Sequence, residues 1–114
     1  MMMKIIRDSE FEAEVLQHPG KVLVDFSADW CGPCRALSPI LESLAVQYGK
    51  TDGNGKGVKF VKVDVDKSLD LAAFFQVNSI PTLILFEDGK PVQRSMGLQS
   101  EDALKKILGF VPER

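Results

Sequence analysis

The two cysteines of the chain, Cys31 and Cys34, are the residues whose type and spacing most directly indicate chemistry. They follow the apolar run 22–26, where a predicted strand passes into a predicted helix, with Gly32 permitting a tight turn and Pro33 suiting the first helical turn. Positions i and i+3 at a helix start share a face, within the roughly 4.4–6.8 Å between Cα atoms that a disulfide allows. The positive end of the helix dipole favours a thiolate there. We therefore expect Cys31 to be the nucleophile of a reversible disulfide.

The C-x-x-C spacing is also compatible with half a zinc site, a structural disulfide, or two neighbouring core cysteines. A tetrahedral zinc site needs four ligands, and besides the two thiols the chain offers only His18, which is expected to be a helix-end residue. A disulfide across so short a loop would constrain the unfolded chain little, because the entropic gain grows with loop length. The pair therefore favours a redox function, and no metal is expected.

Length and composition predict a single domain, residues 1–114, with enough apolar side chains (45%) to form a core. The formal net charge of −2 comes from 14 basic and 16 acidic residues without a basic block, so nucleic acid is not an expected partner. No apolar stretch approaches the about 18 residues of a membrane span, and residues 1–8 lack the apolar region of a signal peptide. We therefore expect no membrane association and a cytoplasmic location, where a C-x-x-C pair is more often catalytic or metal-binding than structural.

Hydrophobic periodicity predicts strands and helices in alternation. The predicted strands are 3–6, 21–26, 58–65, 83–86 and one through Val92 and Arg94, the last two joined by a hairpin at 87–90. The first predicted helix begins at a Ser9–Glu12 capping box and ends before His18, and the second runs from near Arg35 through Pro39 to about Tyr48. The third runs from a cap at 66–68 to about Phe75, and the fourth from Ser100 through Val111. Residues 50–57 are predicted to form an exposed loop. This order predicts an α/β fold in three layers, α/β/α, with four helices around a mixed central sheet of four to five strands. The cysteines then lie at the carboxyl end of a central strand, where such sheets place their sites.

Asp25 interrupts the apolar run that forms the second predicted strand. A carboxylate inside a buried strand is costly as an anion, so it must find partners or hold its proton with a raised pKa. We expect a proton-holding carboxyl behind the cysteine pair, serving Cys34 as base or acid through a water molecule. The alternative is a strand-end aspartate that faces water.

The order and approximate spacing of several motifs resemble those of the thioredoxin family. The residues that carry the resemblance are Val24-Asp25-Phe26, Trp30-Cys31-Gly32-Pro33-Cys34, Pro39, Ile80-Pro81-Thr82 and Gly97. The likeness extends over essentially the whole chain and implies a thioredoxin fold. It also implies protein-disulfide reduction, in which Cys31 attacks a substrate disulfide and Cys34 resolves the mixed disulfide, leaving Cys31 and Cys34 joined.

The same resemblance implies roles for residues outside the cysteine motif. Pro81 would follow a cis peptide bond and face the cysteines. Asp25 and Lys62 match the buried acid of the family and its lysine neighbour. The apolar surface that holds an extended substrate segment would consist of Trp30, Ile80, Met96 and Gly97.

The resemblance further implies the source of electrons. A flavin thioredoxin reductase that uses NADPH would reduce the cysteine pair, acting as a partner, while the chain itself binds no cofactor. Its other partners would be disulfide-containing proteins, and the chain is expected to be a monomer. Four features depart from the usual pattern and bear on substrate or reductase preference, namely Ser27 before the motif, the long segment 51–57, Gln76 and Ser79.

The sequence leaves two alternatives to a reductase open. A disulfide oxidase or isomerase of the same fold uses the same chemistry, but the Gly-Pro pair between the cysteines resembles that of reductants. A non-catalytic binding module would use the apolar surface around the cysteines to hold a partner, and intact thiols argue against it only in part.

Overall fold

Strands and helices alternate along the part of the chain described by the computed structural model, residues 3–49 and 57–110. In chain order they are β1 (Lys4–Ile6), α1 (Asp8–Phe11) continued by a π-helical segment (Glu12–Leu16), β2 (Lys21–Ser27), α2 (Gly32–Tyr48), β3 (Val58–Asp64), α3 (Leu69–Phe74), β4 (Thr82–Glu87), β5 (Lys90–Met96) and α4 (Glu101–Leu108). The alternation predicted from the sequence is therefore confirmed.

The five strands form one mixed sheet in the order β1-β3-β2-β4-β5. Strands β1, β3 and β2 are parallel to one another, whereas β4 is antiparallel to both β2 and β5. The central strand β2 is buried from Val22 to Ser27, because helices cover both of its faces. Strand β5 forms one edge and is largely exposed, and its pairing with β4 shifts register between Leu85 and Phe86, opposite Pro91.

Successive residues of β2 belong to two separate cores, as the two-residue repeat of a strand requires. Leu23 packs with buried residues of α2 and α4, whereas Val22 and Val24 pack with those of α1 and the π-helical segment. Helices therefore lie on both faces of the sheet, which confirms the predicted three-layer α/β/α arrangement.

The first helix begins earlier than the sequence pattern predicts. The predicted Ser9–Glu12 capping box is wrong, because Ser9 already lies inside α1. The box forms two residues earlier, where the Arg7 backbone N–H donates a 2.9 Å hydrogen bond to Glu10 Oε1. The helix then widens into the π-helical segment, closed by a bond from the Gln17 N–H to the Glu12 carbonyl.

Helix α2 begins at Gly32, three residues before the Arg35 predicted from apolar spacing, and continues through Pro39 to Tyr48. The early start has a local cause, since Cys31 itself is the N-cap residue and its Sγ accepts a hydrogen bond from the Cys34 backbone N–H. Pro33 therefore lies in the first turn of α2, as its residue type predicts.

The caps predicted for the last two helices have different outcomes. Ser68 is the N-cap residue of α3, within the cap predicted at 66–68, but its buried Oγ has no hydrogen-bond partner among the described residues, so no side-chain bond completes the cap. Ser100 does cap α4, accepting a 3.1 Å hydrogen bond from the Ala103 N–H. Val111, predicted to be part of the last helix, and nearly all of the predicted 50–57 loop lie outside the described residues.

Candidate active site

The turn between β2 and α2 brings Cys31 and Cys34 together in a disulfide bond, with their Cα atoms 5.2 Å apart. Their exposed fractions are only 4% and 3%. Ala28 completes this small buried cluster, and Val65 and Ile80 pack against it from the ends of two other segments. The sequence pattern alone predicted that the two cysteines lie together, but it did not identify Val65 as their neighbour. It follows β3, which ends beside the carboxyl end of its parallel neighbour β2.

Two backbone groups surround the sulfur of Cys31. The Cys34 N–H donates to it over 3.1 Å, and the Ile80 carbonyl oxygen lies 3.8 Å away. The sulfur lies at the positive end of a 17-residue helix, where backbone N–H groups have no partner within the helix. This position stabilises negative charge on Cys31 when the disulfide is open.

The segment that carries Ile80 passes beside the cysteines with a cis peptide bond between Ile80 and Pro81, the isomer that the family resemblance implies. Hydrogen bonds fix the position of this segment on either side of the cis bond. Thr82 Oγ1 donates to the Ser79 carbonyl over 2.6 Å, and the Gly97 N–H donates to the Pro81 carbonyl over 2.8 Å. Gly97 has a positive φ of 85°, which suits glycine, and its hydrogen bond places the end of β5 next to Pro81.

Large apolar side chains near the cysteines face outward. Trp30 and Met96 are 68% and 61% exposed, a large fraction for such side chains. The Trp30 ring is nevertheless held, because its Nε1–H donates a 2.8 Å hydrogen bond to Asp66 Oδ2. The sequence pattern placed Asp66 only in the cap of the next helix, and its contact with Trp30 was missed. Its place just after β3 puts it, like Val65, at the edge of the sheet where the cysteines lie.

Asp25 lies on β2 with an exposed fraction of 1%, so the alternative of a water-facing aspartate is wrong. Burial raises the pKa of this carboxyl to about 6, and the positive charge of Lys62 opposes the rise. Among the described residues, neither carboxylate oxygen has a hydrogen-bond partner. Asp25 therefore holds a proton through the mildly acidic range, as expected from its place in an apolar strand.

Lys62 is the β3 neighbour of Asp25 in the sheet register, but its ammonium group is directed elsewhere. Its Nζ donates a 3.2 Å hydrogen bond to Ser38 Oγ, and that hydroxyl donates over 3.2 Å to the Cys34 carbonyl. Ser38, which the sequence pattern did not single out, thus connects the lysine to the helix that carries the cysteines. Lys62 acts on Asp25 through its charge, without a hydrogen bond between them in the described structure.

His18 lies away from the cysteines. It follows the π-helical segment, where its N–H donates to the Val15 carbonyl, consistent with a helix-end residue. The described residues contain no group of three or more His, Cys, Asp or Glu side chains arranged to hold a metal ion. No helix within the described ranges combines the length and apolar character needed to cross a membrane.

Comparison with known proteins agrees with this geometry. The family model described as Thioredoxin matches residues 2–109. The thioredoxins of Chlamydia trachomatis serovar D and Chlamydia muridarum are 43% and 45% identical over 107 residues, which is 94% of this chain and 96% of each relative. The thioredoxin of Staphylococcus aureus strain Mu50 is 43% identical over 104 residues, 90% of this chain and 91% of that protein. The chain therefore belongs to the thioredoxin family and is a protein-disulfide reductase that works by thiol–disulfide exchange through Cys31 and Cys34.

Proposed function

We propose that Cys31 is the attacking thiol and Cys34 the resolving thiol in the reduction of disulfides in other proteins. The observation that carries this assignment is the position of Cys31 as N-cap of α2, while Cys34 lies one turn inside the helix. Backbone N–H groups and the helix dipole favour a thiolate at the first position, and the thiolate is the nucleophile.

The exchange takes two steps. The Cys31 thiolate attacks one sulfur of a substrate disulfide, so that a bond to Cys31 forms, the substrate S–S bond breaks, and the other substrate sulfur leaves as a thiolate. The Cys34 thiolate then attacks Cys31 Sγ and expels the remaining substrate sulfur. The substrate gains two electrons and two protons, and the two thiols of the protein lose them.

Asp25 serves the second step as the proton acceptor of Cys34. A carboxyl with a pKa near 6 changes protonation state close to neutral pH, where general acids and bases are most effective. The proton passes through an intervening water molecule, and the charge of Lys62 keeps Asp25 from becoming too weak an acid. When the pair is reduced again, Asp25 returns the proton.

The substrate chain docks on the surface formed by Trp30, Ile80, Met96 and Gly97. Exposed apolar side chains supply contact area, and the backbone around Ile80 and the cis-linked Pro81 supplies hydrogen-bonding groups for an extended segment. The closeness of the Ile80 carbonyl to Cys31 Sγ means that a segment bound there brings its disulfide to the nucleophile.

The oxidised pair is reduced by a flavin thioredoxin reductase that draws its electrons from NADPH. The chain acts as a monomer in the cytoplasm and binds no cofactor itself. The reducing poise of the cytosol supports this location, because a reductant of protein disulfides works where thiols are kept reduced.

The reduction potential of the Cys31–Cys34 pair separates a reductase from an oxidase or isomerase. We expect a potential more negative than the cytosolic glutathione poise of about −220 to −260 mV, measured by alkylating free thiols after equilibration in glutathione buffers. A more oxidising value would overturn the reductase proposal and favour the oxidase.

Insulin-disulfide reduction by dithiothreitol tests catalysis directly. The wild-type protein should accelerate the reaction, whereas a variant with serine at both cysteines should not. If the double-serine variant still performed the biological role in cells, the binding-module alternative would be correct.

A further inference from the structure

Arg94 connects β5 to the end of α3. Its Nη1 donates a 2.6 Å hydrogen bond to the Phe75 carbonyl, and its Nη2 donates a 2.6 Å hydrogen bond to the Gln76 carbonyl. The planar guanidinium group, with its fixed fork of donors, matches two adjacent carbonyl oxygens in a way that a lysine ammonium does not.

The two carbonyls lie where the helix cannot satisfy them. Gln76 has a φ of 55°, the left-handed conformation that ends many helices. Its N–H donates to the Ala73 carbonyl and the Val77 N–H donates to the Ala72 carbonyl, so these two bonds close the last turn. The next carbonyls, those of Phe75 and Gln76, point out at the negative end of the helix, where a cation is favoured.

The chain that Arg94 holds leads directly to the docking surface. Only three residues separate Gln76 from Ile80, whose carbonyl lies 3.8 Å from Cys31 Sγ. At the other end of this segment, the Gly97 N–H donates to the Pro81 carbonyl. Strand β5 and the residue that follows it thus hold the 75–81 segment at both of its ends.

Arg94 also lies on the same face of the sheet as the docking residue Met96. Thr82 pairs with Met96 and Ile84 pairs with Arg94, and residues two apart on a strand share a face. Movement of β5 relative to the 75–81 segment would therefore displace Met96 and Ile80 relative to each other.

We infer that Arg94 is a positioning residue that selects protein disulfides over small ones by fixing the 75–81 segment against β5. The inference rests on the proposed docking surface. A protein substrate needs the backbone around Ile80 and the Met96 side chain held at fixed positions relative to each other, because its extended segment contacts both. A small disulfide needs only access to Cys31, so its reaction does not depend on the relative position of Ile80 and Met96.

Single-turnover kinetics of the pre-reduced protein test the inference, with insulin and oxidised glutathione as the two disulfides. Arg94→Met should lower the second-order rate constant for insulin about tenfold, which is less than the roughly hundredfold loss that an ångström-scale misplacement can cause. The rate constant for oxidised glutathione should stay within about twofold of the wild-type value. Arg94→Lys, which keeps the charge but can donate to one carbonyl at a time, should give an intermediate insulin rate.

Gln93→Met is the matched control, since Gln93 is an exposed neighbour on the opposite face of β5, and it should change neither rate. Equal losses for both disulfides, or no loss for insulin, would overturn the inference. Thermal unfolding of each variant shows whether it is folded, and Arg94→Lys keeps the test decisive should Arg94→Met unfold. Failure of the wild-type protein to reduce insulin would instead overturn the proposed function.

Discussion

Cys34→Ser is expected to abolish turnover and to turn the protein into a covalent trap for its substrates. Without the second thiol, the mixed disulfide formed by Cys31 cannot be resolved, because no other thiol is present in the chain. Incubating the pre-reduced variant with insulin should yield a disulfide-linked adduct whose mass is the sum of the protein and the whole insulin molecule. Dithiothreitol should release it, and insulin reduction should show no measurable catalysis.

Cys31→Ser is the matched control for the trapping experiment. It should lose turnover equally but form no adduct, because the remaining thiol, Cys34, lies a turn inside α2, away from the N-cap position where Cys31 is activated. The reverse pattern, with adducts on Cys31→Ser and none on Cys34→Ser, would show that the two thiols have exchanged roles. Equal trapping by both variants would also contradict the assignment.

Asp25→Asn is expected to stabilise the protein by about 3 kcal/mol at pH 8, because it replaces a buried carboxylate with a neutral group. The carboxyl has an ordinary pKa of 3.8 and a pKa of about 6 in the folded protein. Below the first value it is protonated in both folded and unfolded states and imposes no penalty. As pH rises from 3.8 to about 6, the unfolded state loses its proton first and stability falls. Above that range the penalty is constant, so the gain from Asp25→Asn should vanish near pH 4 and be fully present at pH 8.

Urea unfolding of the oxidised protein between pH 4 and pH 8 measures this difference. Asp29→Asn is the matched control, since Asp29 is exposed and only four residues away, and it should change stability by less than about 0.5 kcal/mol at any pH. The same Asp25→Asn protein should resolve mixed disulfides more slowly near neutral pH, because Cys34 has lost its proton acceptor. A pH-independent stability difference would contradict the buried-acid account, and unchanged resolution kinetics would contradict proton transfer by Asp25.

The sequence predicted those parts of the fold that local patterns encode. The apolar run 22–26 identified the central strand, and the Glu87-Asp88-Gly89-Lys90 string identified the hairpin, whose Asp88 and Gly89 both adopt positive φ. Ser100 marked the start of α4. Each of these signals depends only on residues that are neighbours along the chain.

The features that were missed depend on contacts between distant segments. Asp66 accepts a hydrogen bond from Trp30, 36 positions away in the sequence. Ser38 links Lys62 to α2, and Arg94 on β5 donates to carbonyls at the end of helix α3. In the sequence each of these is an ordinary polar residue. Apolar spacing alone set the start of α2 three residues late, near Arg35, whereas Pro33 correctly indicated the first helical turn. The capping group is a cysteine sulfur, and serine, threonine, aspartate or asparagine is the usual signal.

The two borders of the sheet have a consequence for how the protein behaves at high concentration. β1 is only three residues long, and β5 carries a proline and a shifted register along its exposed border. Edge strands that are short or interrupted by proline are poor templates for pairing with a strand from another molecule. The fold thus discourages intermolecular β-sheet growth along both of these strands.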